Sequence, residues 1–168
     1  MKYLVNKKLH LLAVKFPPKG RTLKNSKRSF YLKFPEHLFV FPITIENGRF
    51  VADEMFGVQL LLRKGLSYYV PPLTRLYGSD GRLCISSQHE KVKGSVERVV
   101  KAIIEKHWAT SYGNKTTIGS PLKTFNSWLE ESKQNRCSCY QFRRIKMPKF
   151  ETITLEDLRI YLGEIQSK

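Results

Sequence analysis

The apolar pattern of this chain changes period once, and the change falls at Cys84. From Leu9 to Val70 the apolar residues come in short runs broken by Pro17-Pro18, Pro35, Asn47-Gly48 and Gly57, which is the punctuation of β-strands. Beyond Ser95, Val96, Val99, Val100, Ile103, Ile104 and Trp108 share one face of a helix, with Arg98, Lys101, Glu105 and Lys106 on the other. Strands first and helices after predict an α+β fold: an antiparallel strand meander, then a cysteine-bearing loop, then packed helices.

In order, Leu9 to Phe16 reads as a first strand, stopped by Pro17-Pro18. Lys19 to Ser29 is polar, basic and contains Gly20, so an exposed loop is expected there. Phe30 to Phe34 is a second strand ended by Pro35, and His37 to Ile45 a third in which Pro42 marks an edge or a bulge. Asn47-Gly48 calls for a two-residue hairpin turn, because that turn needs positive φ twice. Arg49 to Val51 begins the return strand, and Gly57 to Leu62 and Ser67 to Val70 follow. Ser95 is a suitable N-cap for the long helix, with Glu97 in its first turn. Ser120-Pro121 opens a second helix through Leu122, Phe125, Trp128 and Leu129. Tyr140 to Ile145 is a strand or an extended segment. Thr154 to Asp157 resembles a capping box, starting a terminal helix that buries Leu155, Leu158, Leu162 and Ile165.

With 168 residues, 41% of them hydrophobic, the chain is long enough for one domain with a real core. That domain, 1–168, divides into a basic N-terminal strand and loop region (1–35), a core (36–110) and a C-terminal helical extension (111–168). No apolar run approaches the roughly 20 residues of a membrane span, and the apolar stretch at the N-terminus is too broken for a secretory signal. Cys137 and Cys139 are two apart, which suits neither a disulfide between neighbours nor the usual zinc spacing. A reducing, cytoplasmic setting is expected, with no metal and no cofactor, since a Gly-rich phosphate loop is absent too. The charge is the dominant compositional fact: 30 basic against 14 acidic side chains, net +16. Residues 1–35 hold ten Lys/Arg and no Asp or Glu, and residues 115–149 hold eight against two. Such a field favours an anionic partner, nucleic acid or an acidic protein. The Phe and Tyr residues stand mostly at strand positions, where they read as core rather than as platforms for bases.

The stretch from Tyr68 to Ile85 carries the candidate chemistry. Pro71-Pro72 fixes an extended approach, and Gly78 and Asp80-Gly81 permit a tight turn just before Cys84. A sulfur on such a loop suits acyl transfer, which needs an accessible thiolate and stabilisation of an oxyanion. Arg82, Arg75 and the N–H groups after Gly81 would lower the thiol pKa. Asp80, Tyr77 and His89 are the nearest candidates to orient or deprotonate an incoming amine. Alternatively Cys84, between Leu83 and Ile85, is simply a small buried apolar residue. Of the other histidines, His107 ends the long helix, where a protonated imidazole would suit the dipole; His10 and His37 sit in strand patterns.

A strand meander, a diproline, a loop ending Ser79-Asp80-Gly81-Arg82-Leu83-Cys84-Ile85 and then helices resembles the ubiquitin-conjugating (UBC-like) fold. In that family the active-site cysteine follows a segment of the type Asp-Gly-Arg-(Ile/Leu/Val)-Cys, with prolines ahead of the loop. The similarity is to the divergent prokaryotic branch, which includes the B proteins of the PRTRC plasmid-associated systems. The motif covers about residues 68–85, and the element order extends it to roughly 37–110. Where the family carries His-Pro-Asn ahead of the cysteine, this chain reads Thr74-Arg75-Leu76, and no amphipathic helix opens it. The resemblance implies a thioester carrier acting through Cys84, with a ubiquitin-like protein and an activating-enzyme-like protein as partners. Two other functions fit the residues: a non-catalytic basic domain that binds nucleic acid through 1–33 and 115–149, and a cysteine hydrolase pairing Cys84 with His89 or His107.

Overall fold

The computed structural model describes residues 1–24, 29–53, 57–73, 76–77, 80–83, 91–109, 122–138 and 142–166. The centre is a stack of three strands whose interiors are apolar without alternation: β2 (Leu11–Phe16), β5 (Glu36–Pro42) and β8 (Gln59–Lys64). Leu12, Ala13 and Val14, then Leu38 to Phe41, then Leu60 to Leu62 are all sealed from solvent. Such runs belong to strands covered on both faces. β5 lies between β2 and β8, antiparallel to both, in registers such as Val14↔Phe39 and Phe39↔Leu60.

The chain wraps outwards from this centre. β1 (Lys2–Asn6) pairs with β2, and β9 (Ser67–Val70) pairs with the far end of β8. The rest of that β8 edge takes the short hairpin of β10 (Leu76–Tyr77) and β11 (Arg82–Leu83). The intended meander is interrupted, because β6 (Thr44–Glu46) and β7 (Arg49–Asp53) leave the main sheet. They form a second, three-stranded sheet with β12 (Lys91–Gly94). Asn47 and Gly48, at φ 49° and 75°, make the expected turn between β6 and β7.

Two expectations for the N-terminal region are corrected. Lys2–Asn6 is a strand ahead of the one expected first; its Leu4 and Val5 are buried. Lys19–Lys24 is strand β3 rather than a loop, paired along its whole length with β4 (Ser29–Phe34). Leu23, the one apolar residue of β3, is buried in the core cluster.

α1 (Val96–Ala109) begins after Ser95, whose Oγ accepts the Arg98 N–H at 3.4 Å, and buries Val96, Val99, Val100, Ile103 and Ile104. α2 (Leu122–Lys133) packs on β4 through Trp128. Between them and the C-terminal helix run β13 (Arg143–Ile145), paired with β9, and β14 (Glu151–Ile153), paired with β1. These two strands close opposite sides of the main sheet, and only residues 146–150 join them. Thr154 caps α3 (Leu155–Gln166): its Oγ1 accepts the Asp157 N–H at 3.0 Å and donates to Asp157 Oδ2 at 2.6 Å. α3 buries Leu158, Tyr161 and Leu162, whereas Leu155 and Ile165 are only partly covered. Of the two strands, β13 falls within the Tyr140–Ile145 segment expected to be extended, whereas β14 was not expected in the stretch 111–168. One apolar cluster runs from Tyr3 to Leu162, and no described helix is long and apolar enough to cross a membrane.

Candidate functional site

The segment leading to Cys84 is fastened to the sheet at every step that the structure describes. Pro71, Pro72 and Leu73 are buried, and the Leu73 N–H turns back to the Pro71 oxygen at 2.8 Å. Beyond them Tyr77 stands opposite Arg82 in the β10–β11 register. Gly81 has φ 78°, and a Cβ there would lie 2.7 Å from the Leu60 oxygen, so only glycine fits. The Leu60 N–H donates to the Gly81 oxygen at 2.9 Å, the Leu83 N–H to the Val58 oxygen at 2.7 Å, and Gln59 Nε2 to the Asp80 oxygen at 2.9 Å. Leu83 itself is buried. Residue 84 therefore follows a backbone held on both sides of the turn.

Asp80 has a local task. Its Oδ1 accepts the Arg82 N–H at 3.2 Å and its Oδ2 meets Arg82 Nε at 2.8 Å. This pair is half-exposed, and it ties the carboxylate to the turn. Asp80, Arg82 and the Tyr77 backbone are thus brought together in one hairpin at the sheet edge. Cys84 and His89 lie outside the described residues, as does the Tyr77 side chain. The chain next enters the structure at β12, on the smaller sheet and directly before α1.

His107 corrects an expectation. It is fully buried rather than exposed at a helix end, packed edge-on against Phe39 and beside Trp108. Burial pushes its pKa down to about 3, and the nearby Arg21 guanidinium and His37 add to the shift. The ring is neutral and is not a protonated partner of the helix dipole. His37 is likewise buried, with a pKa pushed down to about 4 mainly by desolvation. Its Nδ1 lies 3.0 Å from the Pro35 oxygen, which fixes the proton on that nitrogen. Phe16, Phe34 and Trp108 surround the His37 ring, and the Arg21 guanidinium covers Trp108 at 4.0 Å. Sequence reasoning missed this aromatic box because its members come from β2, β3, β4, β5 and α1. The only signal was histidine and tryptophan in otherwise apolar patterns.

Among the described residues no group of three or more His, Cys, Asp or Glu side chains could hold a metal ion. Cys137 is partly buried. No protein-family model, curated protein or solved structure matches the chain.

Proposed function

We propose that the chain is a ubiquitin-conjugating-like carrier that holds the C-terminus of a ubiquitin-like protein as a thioester on Cys84. The observation that carries this reading is the anchoring of Asp80 to Leu83 on β8, which gives the next residue a fixed point of departure from the sheet edge. A rigid mount serves acyl transfer because the reacting atoms must be held in register. The Cys84 thiolate attacks the carbonyl carbon of the modifier's thioester on the activating enzyme; the new C–S bond forms, and the enzyme's own sulfur leaves as thiolate. An acceptor amine then attacks the same carbon, the C–N bond forms, and Cys84 departs as thiolate while the amine gives up its proton. Arg82, two residues before Cys84 in the sequence, is paired with Asp80 and so helps to hold the turn that precedes the cysteine. With Thr74-Arg75-Leu76 in place of His-Pro-Asn, backbone N–H groups of the loop are the donors for the oxyanion.

The test is incubation with the activating enzyme, ubiquitin-like protein and ATP. A reductant-sensitive adduct is expected, which Cys84→Ser abolishes or converts to a reductant-resistant ester. An adduct that survives Cys84→Ala, or none from a folded parent that also resists thiol reagents, sinks the reading. Burial of His107 within the aromatic box counts against the cysteine hydrolase that would use it as base.

A further inference from the structure

The β3–β4 ribbon pairs with no other strand among the described residues, and one of its faces rests on α2. Strand alternation puts Arg21, Leu23, Phe30, Leu32 and Phe34 on that inner face, where Leu23, Leu32 and Phe34 are buried. The outer face consists of Gly20, Thr22 and Lys24 from β3 and Ser29, Tyr31 and Lys33 from β4, in the registers Gly20↔Lys33, Thr22↔Tyr31 and Lys24↔Ser29.

Tyr31 is the one aromatic side chain on this outer face, and it is 46% exposed. A Cβ placed on Gly20 would lie 1.7 Å from Tyr31 Oη and 2.3 Å from Cζ. The ring therefore lies down across the ribbon with its hydroxyl end over the bare Gly20 backbone. One aromatic face is held against the strands, and the other is presented to solvent. Lys33 is the next residue on this face along β4, and Lys24 stands on the opposite side of Tyr31, across from Ser29. Both lysines belong to the stretch 1–35, which contains no Asp or Glu.

We propose that this outer face binds single-stranded nucleic acid, with a base stacked on Tyr31 and phosphates against Lys24 and Lys33. A flat ring between two cations matches an unstacked base between two phosphates. A duplex shows a protein its base edges and buries the base faces, so it cannot use the ring in this way. Gly20, Thr22 and Ser29 leave no apolar recess for the anchors on which protein partners depend. The inference is independent of Cys84 and stands or falls without it.

The experiment is fluorescence anisotropy of a labelled single-stranded oligothymidine titrated with the full chain over a range of salt. Affinity should fall as salt rises. Tyr31→Ala should weaken binding by about 5- to 100-fold, and Tyr31→Phe should bind close to the parent. Gly20→Ala keeps the tyrosine but lifts its ring, and should also weaken binding. Replacing both Lys24 and Lys33 with Ala should reduce the log–log salt slope by about 1.4. Thermal midpoints near the parent's confirm that each variant keeps its ribbon; Tyr31→Phe and the lysine pair decide the case if Tyr31→Ala does not fold. Four outcomes overturn the proposal: no salt-sensitive binding, Tyr31→Ala folded and binding like the parent, an equally tight duplex of matching sequence, or polyglutamate competing as well as the oligonucleotide.

Discussion

The indole N–H of Trp128 donates to the main-chain oxygen of Lys33 at 2.9 Å, and one helical turn further on Ser132 Oγ accepts the Lys33 N–H, also at 2.9 Å. Two side chains of α2 thus satisfy both backbone groups of a single residue of β4, which among the described residues faces no strand on that side. A helix completes the ribbon edge in place of another strand.

Trp128→Phe should keep an aromatic ring against Phe34 and Phe142 but leave the partly buried Lys33 oxygen without this donor. The expected loss is about 1–3 kcal/mol in urea denaturation. Ser132→Ala tests the second bond, and the double variant should show coupling between them. Independent, additive effects would mean that the two contacts do not act as one clamp.

Ile103 is completely enclosed on the inner face of α1. Ile103→Ala should destabilise by about 2–5 kcal/mol through lost transfer energy and the cavity left behind. Lys101→Ala, on the outer face, serves as the control. A loss at Ile103 no larger than the control's would put α1 in a different orientation.

His37 and His107 make stability acid-sensitive. Their pKa values of about 4 and about 3 lie below the ordinary 6.5, so both rings are neutral in the fold and take up protons on unfolding in mild acid. The unfolded chain binds more protons between pH 6.5 and about 4, so this stability is fully present above 6.5 and is lost as pH falls. Each buried imidazole should contribute a decline of up to about 1.4 kcal/mol per pH unit within that window. Urea midpoints measured at several pH values should show the decline, and His107→Leu should make it shallower. An identical pH slope in that variant would assign the acid sensitivity to other groups.

Gly81→Ala should strain the turn ahead of Cys84, both from φ 78° and from contact with the Leu60 oxygen. We expect a stability loss of about 1–3 kcal/mol and a changed rate of Cys84 alkylation in the folded protein. Gly65→Ala is the comparison: its φ is also positive, at 60°, but nothing lies within 4 Å of the added carbon. Equal effects at both sites would show that close packing at Gly81 is unimportant.

The elements legible in the sequence were those whose signal is local. Asn47-Gly48 carries its own turn, Thr154 and Asp157 their own cap, and Val99 to Ile104 a period that only a helix satisfies. β3 was hidden because Lys19, Arg21 and Lys24 look like loop residues until β4 pairs with them and Leu23 is buried. Tyr31 was grouped with the core aromatics for the same reason: its exposure depends on which face α2 takes. His107 was misread because helix position says nothing about the Phe39 and Trp108 rings that enclose it. At the candidate site, the glycine and aspartate of the turn were legible. The Asp80–Arg82 pair was not, since the spacing of two residues does not tell which way either side chain points.

The five residues between β13 and β14 have a consequence for how the molecule can fail. One stretch of chain occupies the free side of β9 and the free side of β1, and Asn6 Nδ2 grips it midway through the Lys149 oxygen at 2.8 Å. A cut anywhere in 143–153 would loosen two distant margins of the sheet together. Each would then offer unmet backbone donors and acceptors, and a particle with two such sticky rims can grow in both directions. The short crossing keeps both rims covered with a single piece of chain.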